Sequence, residues 1–355
     1  MGNGRDERRA ALAIVAPGTP LRDGLERIVR GSTGALIVLG FDPLVEQICS
    51  GGFELSAVFS ATRLRELAKM DGAIVLDQAG TRILRAAVQL VPDPRLPTEE
   101  SGTRHRTAQR VARQTGFPVI TVSKSMRTVA VFSGGERYVL EDSAALLARA
   151  HQALATLERY KRRFDDAAAA LTALEIEDRA TIGDVARIAQ RLEMAARVTE
   201  EIAGYLVELG TDAGLLGLQL DELTVGTVRE RELLLRDYAG GTATGEPRQS
   251  ADRALAQLSA NELIDLATVA SAIGLRAAEG LDQHVSALGY RLLGQVDRLA
   301  PATADGLVAE FGSLQKLLSA SAQDLRRMPA IDAAQARIVR EGLARIAESA
   351  LLERY

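Results

Sequence analysis

The hydrophobic pattern of this chain changes near residue 143, and the change separates two kinds of structure. Before that point, short continuous apolar runs alternate with segments of helical periodicity, and such runs are typical of strands buried on both faces of a sheet. The clearest runs are Ala35–Leu39, Ala73–Leu76 and Pro118–Val122. Ala61–Met70 has a helical pattern, and Gly134-Gly135 predicts a two-residue hairpin turn. We therefore expect an α/β domain over residues 1–142, with a mixed sheet and flanking helices.

From Ser143 onward the pattern is helical. One helix should continue from Ser143 into the 170s, a second should span Thr181–Leu209, and a third should span about Thr224–Tyr238. Gly240–Pro247 is rich in glycine and predicts a flexible linker or loop, after which helices resume at Ala251.

Apolar residues in the first of these helices follow alternating three- and four-residue steps, which is the spacing of a heptad seam. They are Leu157, Tyr160, Phe164, Ala167, Leu171 and Leu174. The seam predicts an all-α spacer and oligomerisation domain over residues 143–288. The remaining residues, 289–355, are predicted to form an all-α C-terminal domain.

Composition excludes several classes of protein. The chain has 355 residues, enough for two or three domains, and 47% of them are apolar, as in ordinary globular proteins. No apolar run approaches the roughly 18 residues that a membrane-spanning helix needs, so we expect no membrane partner. Cys49 is the single cysteine, which excludes an intrachain disulfide and favours a cytoplasmic location.

Charge is distributed unevenly along the chain. The net charge is +4 over residues 1–150, −9 over residues 151–289 and +1 over residues 290–355. The middle region is therefore a poor partner for a polyanion, whereas the two ends could accept one.

Two short segments could carry chemistry. Met70-Asp-Gly-Ala73 directly precedes an apolar run, and an acid beside glycine at a strand edge can place its carboxylate against a ligand, although Asp-Gly is also common in ordinary turns. The segment Gly102–Thr107 opens a predicted helix with free N–H groups, two arginines and two hydroxyls, which suits a triphosphate. The alternative is a solvated basic helix end, with His105 a satisfied core histidine rather than a metal ligand.

Together the two segments resemble the paired signatures of the diadenylate cyclase family, namely Asp71-Gly72-Ala73 and Gly102–Arg106. The likeness extends across residues 10–140, including Val88–Asp93 and Thr121–Ser123, and continues through Leu157–Lys161 into the C-terminal region. Nearly the whole chain is similar to soluble bacterial members of the family that make cyclic di-AMP.

This resemblance implies a reaction and a set of site residues. Two ATP molecules would condense into cyclic di-AMP and two pyrophosphates, with Mg²⁺ or Mn²⁺ as the cofactor. Asp71 would be the catalytic residue and metal ligand, and Gly72, Ala73 and Leu90 would line the nucleotide pocket. The phosphates would be held by Thr103, Arg104, His105, Arg106, Thr107 and Ser123. Because one pocket holds one ATP, two domains must meet face to face, and the resemblance implies a homo-octamer.

The chain departs from the family pattern at two positions near the site. Lys124-Ser125 follows the Val-Ser pair where some membrane-bound members have glutamates, and Ala87 stands where asparagine is expected. Neither change touches the two signature segments.

The C-terminus resembles the tandem helix-hairpin-helix module of DNA-repair proteins. Such hairpins usually read glycine, apolar, glycine, so that backbone amides can contact a phosphate, whereas this chain has Ala330-Ile331-Asp332. The basic residues nearby are Arg326, Arg327, Arg337 and Arg340. We expect DNA binding, to branched DNA, through this domain, and the alternative is a helical docking module of the same fold.

Two further interpretations compete with a cyclase coupled to DNA structure sensing. The chain could be an ATP-sensing DNA-binding scaffold with little or no cyclase activity. It could also be a helical assembly protein with a vestigial pocket.

Overall fold

The computed structural model describes residues 2–239, 246–276, 280–328 and 331–352. The chain divides into two compact units, one formed by residues 1–152 with 201–218 and the other by residues 153–200 with 219–355. None of the helices in the described ranges has the length and apolar character that crossing a membrane requires. Residues 240–245 of the predicted linker lie outside the described residues, and a helix begins at Glu246, earlier than the expected restart at Ala251.

The first unit is built on a sheet of β1 (Ala35–Leu39), β2 (Cys49–Ser50), β3 (Phe53–Val58), β4 (Ala73–Leu76), β5 (Arg82–Leu90), β6 (Val119–Val122), β7 (Val129–Ser133) and β8 (Glu136–Val139). Its helices include α1 (Gly2–Ile14), α2 (Pro20–Arg30), α3 (Pro43–Ile48), α4 (Ala61–Leu67) and α5 (Thr103–Thr115).

The sheet is mixed, as the sequence predicts. The strand order is β2-β5-β4-β1-β6-β7-β8, with β3 also paired to β5. The central strand β1 runs parallel to β4 and antiparallel to β6, and Ile37 lies opposite both Ile74 and Ile120. All five residues of β1 are buried because helices cover both faces of the sheet, which explains its uninterrupted apolar sequence.

The predicted hairpin turn is confirmed at Gly134-Gly135. These glycines connect β7 to β8 with φ values of +58° and +85°, and Ser133 pairs with Glu136. Two consecutive positive φ angles are characteristic of a type I′ turn, whose twist matches that of the strands it joins.

Each face of the sheet has its own apolar core. Side chains of α1, α2 and α4 pack on one face, with Leu25, Ile28 and Leu64 fully buried. Side chains of α3 and α5 pack on the other face, in the same cluster as Ala73 and Leu90. The helix that carries the predicted phosphate-binding segment therefore lies over the face that contains two residues of the predicted pocket.

The rest of the chain is helical in its described parts. The helices are α6 (Ser143–Ile176), α7 (Ile182–Leu209), α8 (Leu215–Thr224), α9 (Thr227–Tyr238), α10 (Glu246–Gln257), α11 (Leu266–Ala272), α12 (Tyr290–Gly294), α13 (Pro301–Phe311), α14 (Leu314–Ser319), α15 (Ala322–Arg326) and α16 (Ala333–Leu352). The predicted helices from Ser143 and near Thr181 are confirmed, whereas α8 was not predicted. In α6 the seam residues Leu157, Phe164 and Leu171 are buried, as expected for a packed face.

A buried ionic cluster holds α6, α9 and α12 together in the second unit. Arg291 is 1% exposed and its Nη1 donates to both carboxylate oxygens of Glu175, at 2.7 and 2.8 Å. The Tyr238 hydroxyl donates to the same carboxylate at 2.7 Å. Asp237 accepts the backbone N–H groups of residues 289–291, so that it caps the start of α12.

Candidate active site

Strand order brings three distant segments to one edge of the sheet. Because β1 and β4 are parallel, both begin at this edge, and because β6 is antiparallel to β1, it ends there. Gly34, Gly72 and Ser123 immediately flank these strand ends. The topology therefore places the predicted Asp71-Gly72 segment and Ser123 at the same edge.

Asp71 and Gly72 are exposed at the start of β4, whereas Ala73 is buried in the strand. Gly72 has a φ of +112°, and a Cβ built there would lie 2.6 Å from the carbonyl carbon of Ala87. Ala87 itself has a φ of +53° in an irregularity of β5, where the register with β4 shifts after Ala73. Only glycine fits at position 72, because any side chain would meet this backbone.

The guanidinium of Arg104 reaches the same edge from α5. A Cβ built at Gly34 would lie 2.3 Å from Nη1 of Arg104, so the missing side chain of Gly34 makes room for this cation. Sequence reasoning did not identify Gly34. The available signal was a glycine directly before the apolar run Ala35–Leu39.

The start of α5 has no side-chain cap. Gly102 is the N-cap residue, and only its carbonyl takes part, by accepting the N–H of Arg106 at 2.9 Å. The first N–H groups of the helix are thus left for a ligand or solvent, at the positive end of the helix dipole. Thr103, Arg104 and Arg106 are exposed, so the first turn combines N–H groups, a hydroxyl and two guanidinium groups.

His105 and Thr107 are half-buried on the same turn. Burial is the main reason that the pKa of the His105 imidazole is lowered from its usual 6.5. The positive charges of Arg137 and Arg104 lower this pKa further, whereas the negative charge of Glu100 raises it. The His105 ring lies 6.2 Å from the ring of Phe132, between centroids. The lowered pKa favours the neutral imidazole, and an arriving phosphate would favour its protonation.

Ser123 and Leu90 complete the residues predicted for the pocket. Ser123 is 6% exposed, and its hydroxyl accepts the N–H of Met126 at 3.3 Å and lies 3.4 Å from the Ser125 hydroxyl. Leu90 is the last residue of β5 and is 8% exposed. Ser123 therefore shapes the turn after β6, and Leu90 contributes apolar surface beneath α5.

Asp71 brings an exposed acidic residue to this edge of the sheet. Across the described ranges, His, Cys, Asp and Glu side chains form no group of three or more that could hold a metal ion. A divalent ion at this edge would need most of its ligands from a bound triphosphate and water, as is common for Mg²⁺.

Three of the four predicted DNA-binding arginines lie around one groove in the second unit. Arg326, Arg337 and Arg340 line a cavity of about 540 Å³, together with Ala322, Ala333, Ala334 and Glu341. Arg327 is not among the lining residues and instead pairs with Asp324 at 3.3 Å. The structure thus separates Arg327 from the other three.

Asp332 caps α16 with its own carboxylate. Its Oδ1 accepts the N–H of Gln335 at 2.7 Å, and the Gln335 side chain in turn accepts the N–H of Asp332 at 3.1 Å. The backbone N–H that a hairpin of this kind would offer to a phosphate is therefore already satisfied. Ala330, the other unusual residue of this hairpin, lies outside the described residues.

Comparisons with known proteins cover nearly the whole chain. Residues 22–137 match the family model described as DisA bacterial checkpoint controller nucleotide-binding, and residues 140–281 match the model of the DisA bacterial checkpoint controller linker region. The DNA integrity scanning protein DisA of Acidothermus cellulolyticus is 58% identical over 99% of this chain and 96% of its own. That of Streptomyces avermitilis is 60% identical over 98% of this chain and 94% of its own.

A solved structure of DacA from Staphylococcus aureus aligns with 39% of this chain and 90% of its own, at 21% identity and a TM-score of 0.29. The full-length relatives are what decide the assignment. With identities near 60% over almost all of both chains, and with both domain models matched, this chain belongs to the DisA family of DNA integrity scanning proteins.

Proposed function

We propose that this chain is a cytoplasmic diadenylate cyclase that condenses two ATP molecules into cyclic di-AMP and two pyrophosphates. One observation carries the proposal: the Asp71 carboxylate, the Arg104 guanidinium and the end of β6 share one edge of the sheet. A nucleotide-binding family model over this unit supports a nucleotide as the ligand.

Each half-reaction transfers an adenylyl group. The 3′-oxygen of one ribose forms a bond to the α-phosphorus of the other ATP, the bond from that phosphorus to the bridging oxygen breaks, and pyrophosphate leaves with the electron pair. The 3′-hydroxyl must lose its proton, and we assign Asp71 to orient this hydroxyl and help remove the proton. Arg104, Arg106 and the uncapped N–H groups of α5 would stabilise the negative charge on the phosphates.

The remaining site residues have supporting roles. Gly72 would line the nucleoside pocket at the exposed start of β4, with the buried Ala73 and Leu90 forming its apolar wall. Thr103, His105, Thr107 and Ser123 would complete the phosphate contacts. Mg²⁺ or Mn²⁺, when bound through Asp71 and ATP, would supply charge neutralisation at the phosphates. The product has two identical halves, so two copies would bring their sites face to face, within a homo-octamer.

We also propose that DNA, including branched DNA, binds through the groove of Arg326, Arg337 and Arg340. Guanidinium groups pair well with phosphates, and this groove brings three guanidinium groups together. The nearby hairpin is a poorer phosphate site, because the Asp332 carboxylate occupies it. The name printed for the relatives, DNA integrity scanning protein, supports a partner of this kind.

The cyclase proposal is tested by incubating the purified full chain with ATP and Mg²⁺ or Mn²⁺ and separating the products by chromatography. Asp71→Asn should abolish cyclic di-AMP formation with unchanged thermal stability, because the amide keeps the size but loses the charge. Asp77→Asn is the matched control, since Asp77 directly follows the same strand at its other end and bonds within its own turn, to Thr81 and Arg82. Near-normal synthesis by Asp71→Asn would refute the assignment. Absence of product from the wild type would leave the ATP-sensing scaffold.

The DNA proposal is tested by gel-shift titration at two salt concentrations with duplex and branched DNA. Replacing Arg326, Arg337 and Arg340 by alanine should weaken binding and flatten its salt dependence by roughly one unit of slope for each phosphate that is no longer bound. Arg327→Ala is the matched control, because Arg327 is adjacent in sequence but lies outside the groove. Equal effects of the triple variant and the control would move the DNA site elsewhere.

A further inference from the structure

Gln109 is a buried amide two residues beyond the phosphate-binding segment of α5. It is 4% exposed, although glutamine is usually a surface residue. Its Oε1 accepts the Thr98 hydroxyl at 2.7 Å and the N–H of Glu99 at 3.2 Å, and its Nε2 donates to the carbonyl of Gly135 at 3.1 Å. One side chain thus joins α5, the segment that leads into it, and the turn between β7 and β8.

A second set of contacts fixes the same three parts. The N–H of Glu100 donates to the Thr98 hydroxyl at 3.2 Å, and the Glu100 carboxylate pairs with Arg137 of β8 at 3.3 Å. Arg113, one turn further along α5, also donates to the Gly135 carbonyl. Residues 98–100 are therefore held immediately before Gly102, where α5 begins.

We infer that Gln109 is a positioning residue for the phosphate site, an inference that rests on the proposed function. By tying residues 98–100 and Gly135 to α5, it fixes where the helix starts and how its first turn faces the sheet edge. Arg104 must reach the space beside Gly34 from this turn, so a small rotation of α5 would withdraw its guanidinium. Gln109 itself touches no substrate.

A purely structural role gives a different result. A buried amide that only stabilises the fold would, when removed, lower the melting temperature and the fraction of active protein. KM for ATP would stay the same, because every folded molecule would keep a normal site. A positioning role instead changes KM or kcat for each folded molecule, since displaced phosphate donors weaken ATP or transition-state binding.

The test compares Gln109→Met with Gln114→Met in the full chain. Gln114 is the matched control because its amide, on the same helix, accepts the N–H of Asp93 at 2.9 Å, but it lies at the far end of α5. We expect Gln109→Met to lower kcat/KM at least tenfold after correction for folded protein, and Gln114→Met to change it less than twofold.

Thr98→Val gives an independent measurement in case Gln109→Met does not fold. It removes one hydroxyl from the same contact, so we expect a smaller rise in KM, and the double variant should be no worse than Gln109→Met alone. If the single variants Thr98→Val and Gln109→Met both had normal KM and kcat, the inference would be overturned. If Gln109→Met does not fold, normal KM and kcat in Thr98→Val alone would overturn it.

ATP affinity measured by calorimetry separates this inference from the proposed function. If the wild type binds ATP but makes no cyclic di-AMP, the proposed activity fails, and the ATP affinities of the variants still decide the role of Gln109.

Discussion

Replacing Gly72 by alanine should damage both stability and activity, because this glycine approaches a neighbouring backbone too closely for a side chain. The new Cβ would lie 2.6 Å from the carbonyl carbon and 2.8 Å from the Cα of Ala87. Backbone atoms cannot rotate away as a side chain would. Either Gly72 or the irregular part of β5 must therefore move by roughly 0.8 Å to reach an ordinary contact distance of 3.4 Å.

Two contributions set the size of the effect. Alanine at a φ of +112° costs about 1–2 kcal/mol from the left-handed backbone alone. The contact with Ala87 adds about 1–3 kcal/mol, the usual cost of overpacking. A displacement of this size beside Asp71 also misplaces the proposed catalytic carboxylate, and errors near 1 Å can reduce rates by about 100-fold.

Gly51→Ala is the control, because Gly51 also has a positive φ, +65°, but nothing lies within 4 Å of its added Cβ. Thermal unfolding and initial rates of cyclic di-AMP formation should be measured for both variants. We expect Gly72→Ala to melt at least about 2 °C below Gly51→Ala, from roughly 2–4 °C per kcal/mol for a unit of this size. Its activity should fall at least tenfold, with near-normal activity in the control. Equal melting temperatures and equal rates would show that the close contact with Ala87 does not constrain this position.

Three further predictions concern other positions. Ala87→Gly should stabilise the protein by about 1 kcal/mol and so raise its melting temperature, because it relieves a φ of +53°. The same change at the buried neighbour Ala86 should lower the melting temperature. NMR titration should give His105 a pKa below 6.5. Arg137→Gln should raise this pKa because it removes a nearby positive charge, and an unchanged pKa in that variant would contradict the contribution of Arg137. Because the folded state holds this proton less tightly than the unfolded state, the contribution of His105 to stability falls as the pH drops below about 6.5. Asp332→Gly should increase DNA affinity in gel shifts, since it removes a carboxylate from the N-terminus of α16. The loss of this helix cap should lower the free energy of unfolding by only about a few tenths of a kcal/mol. Unchanged DNA affinity would exclude this helix end as a phosphate contact.

Several features were predictable because local chemistry decides them. β1, β4 and β6 appear in the sequence as uninterrupted apolar runs, since a strand covered on both faces has no exposed side to mark with polar residues. Gly134-Gly135 predicted its turn because two positive φ angles suit glycine. Arg326, Arg337 and Arg340 could be named as basic residues near the hairpin, because they lie close to it in the sequence.

Other features were not predictable because they depend on neighbours whose positions only folding settles. β3 is largely exposed and lacks a buried apolar run, so it was not identified. The choice between Arg326 and Arg327 depends on the direction in which each side chain leaves the end of α15, and only Arg326 faces the groove.

The sequence by itself determined the two signature segments and the alternation of strand and helix, since both follow from residue type and spacing within a short window. Tertiary structure alone decided that Asp71, Arg104 and Ser123 share one edge of the sheet. That outcome requires the order β4-β1-β6, with one parallel and one antiparallel pairing, which depends on how separated strands bury each other. It also decided that Gly34 makes room for Arg104 and that Gln109 joins three segments, because such contacts exist only once the chain has packed.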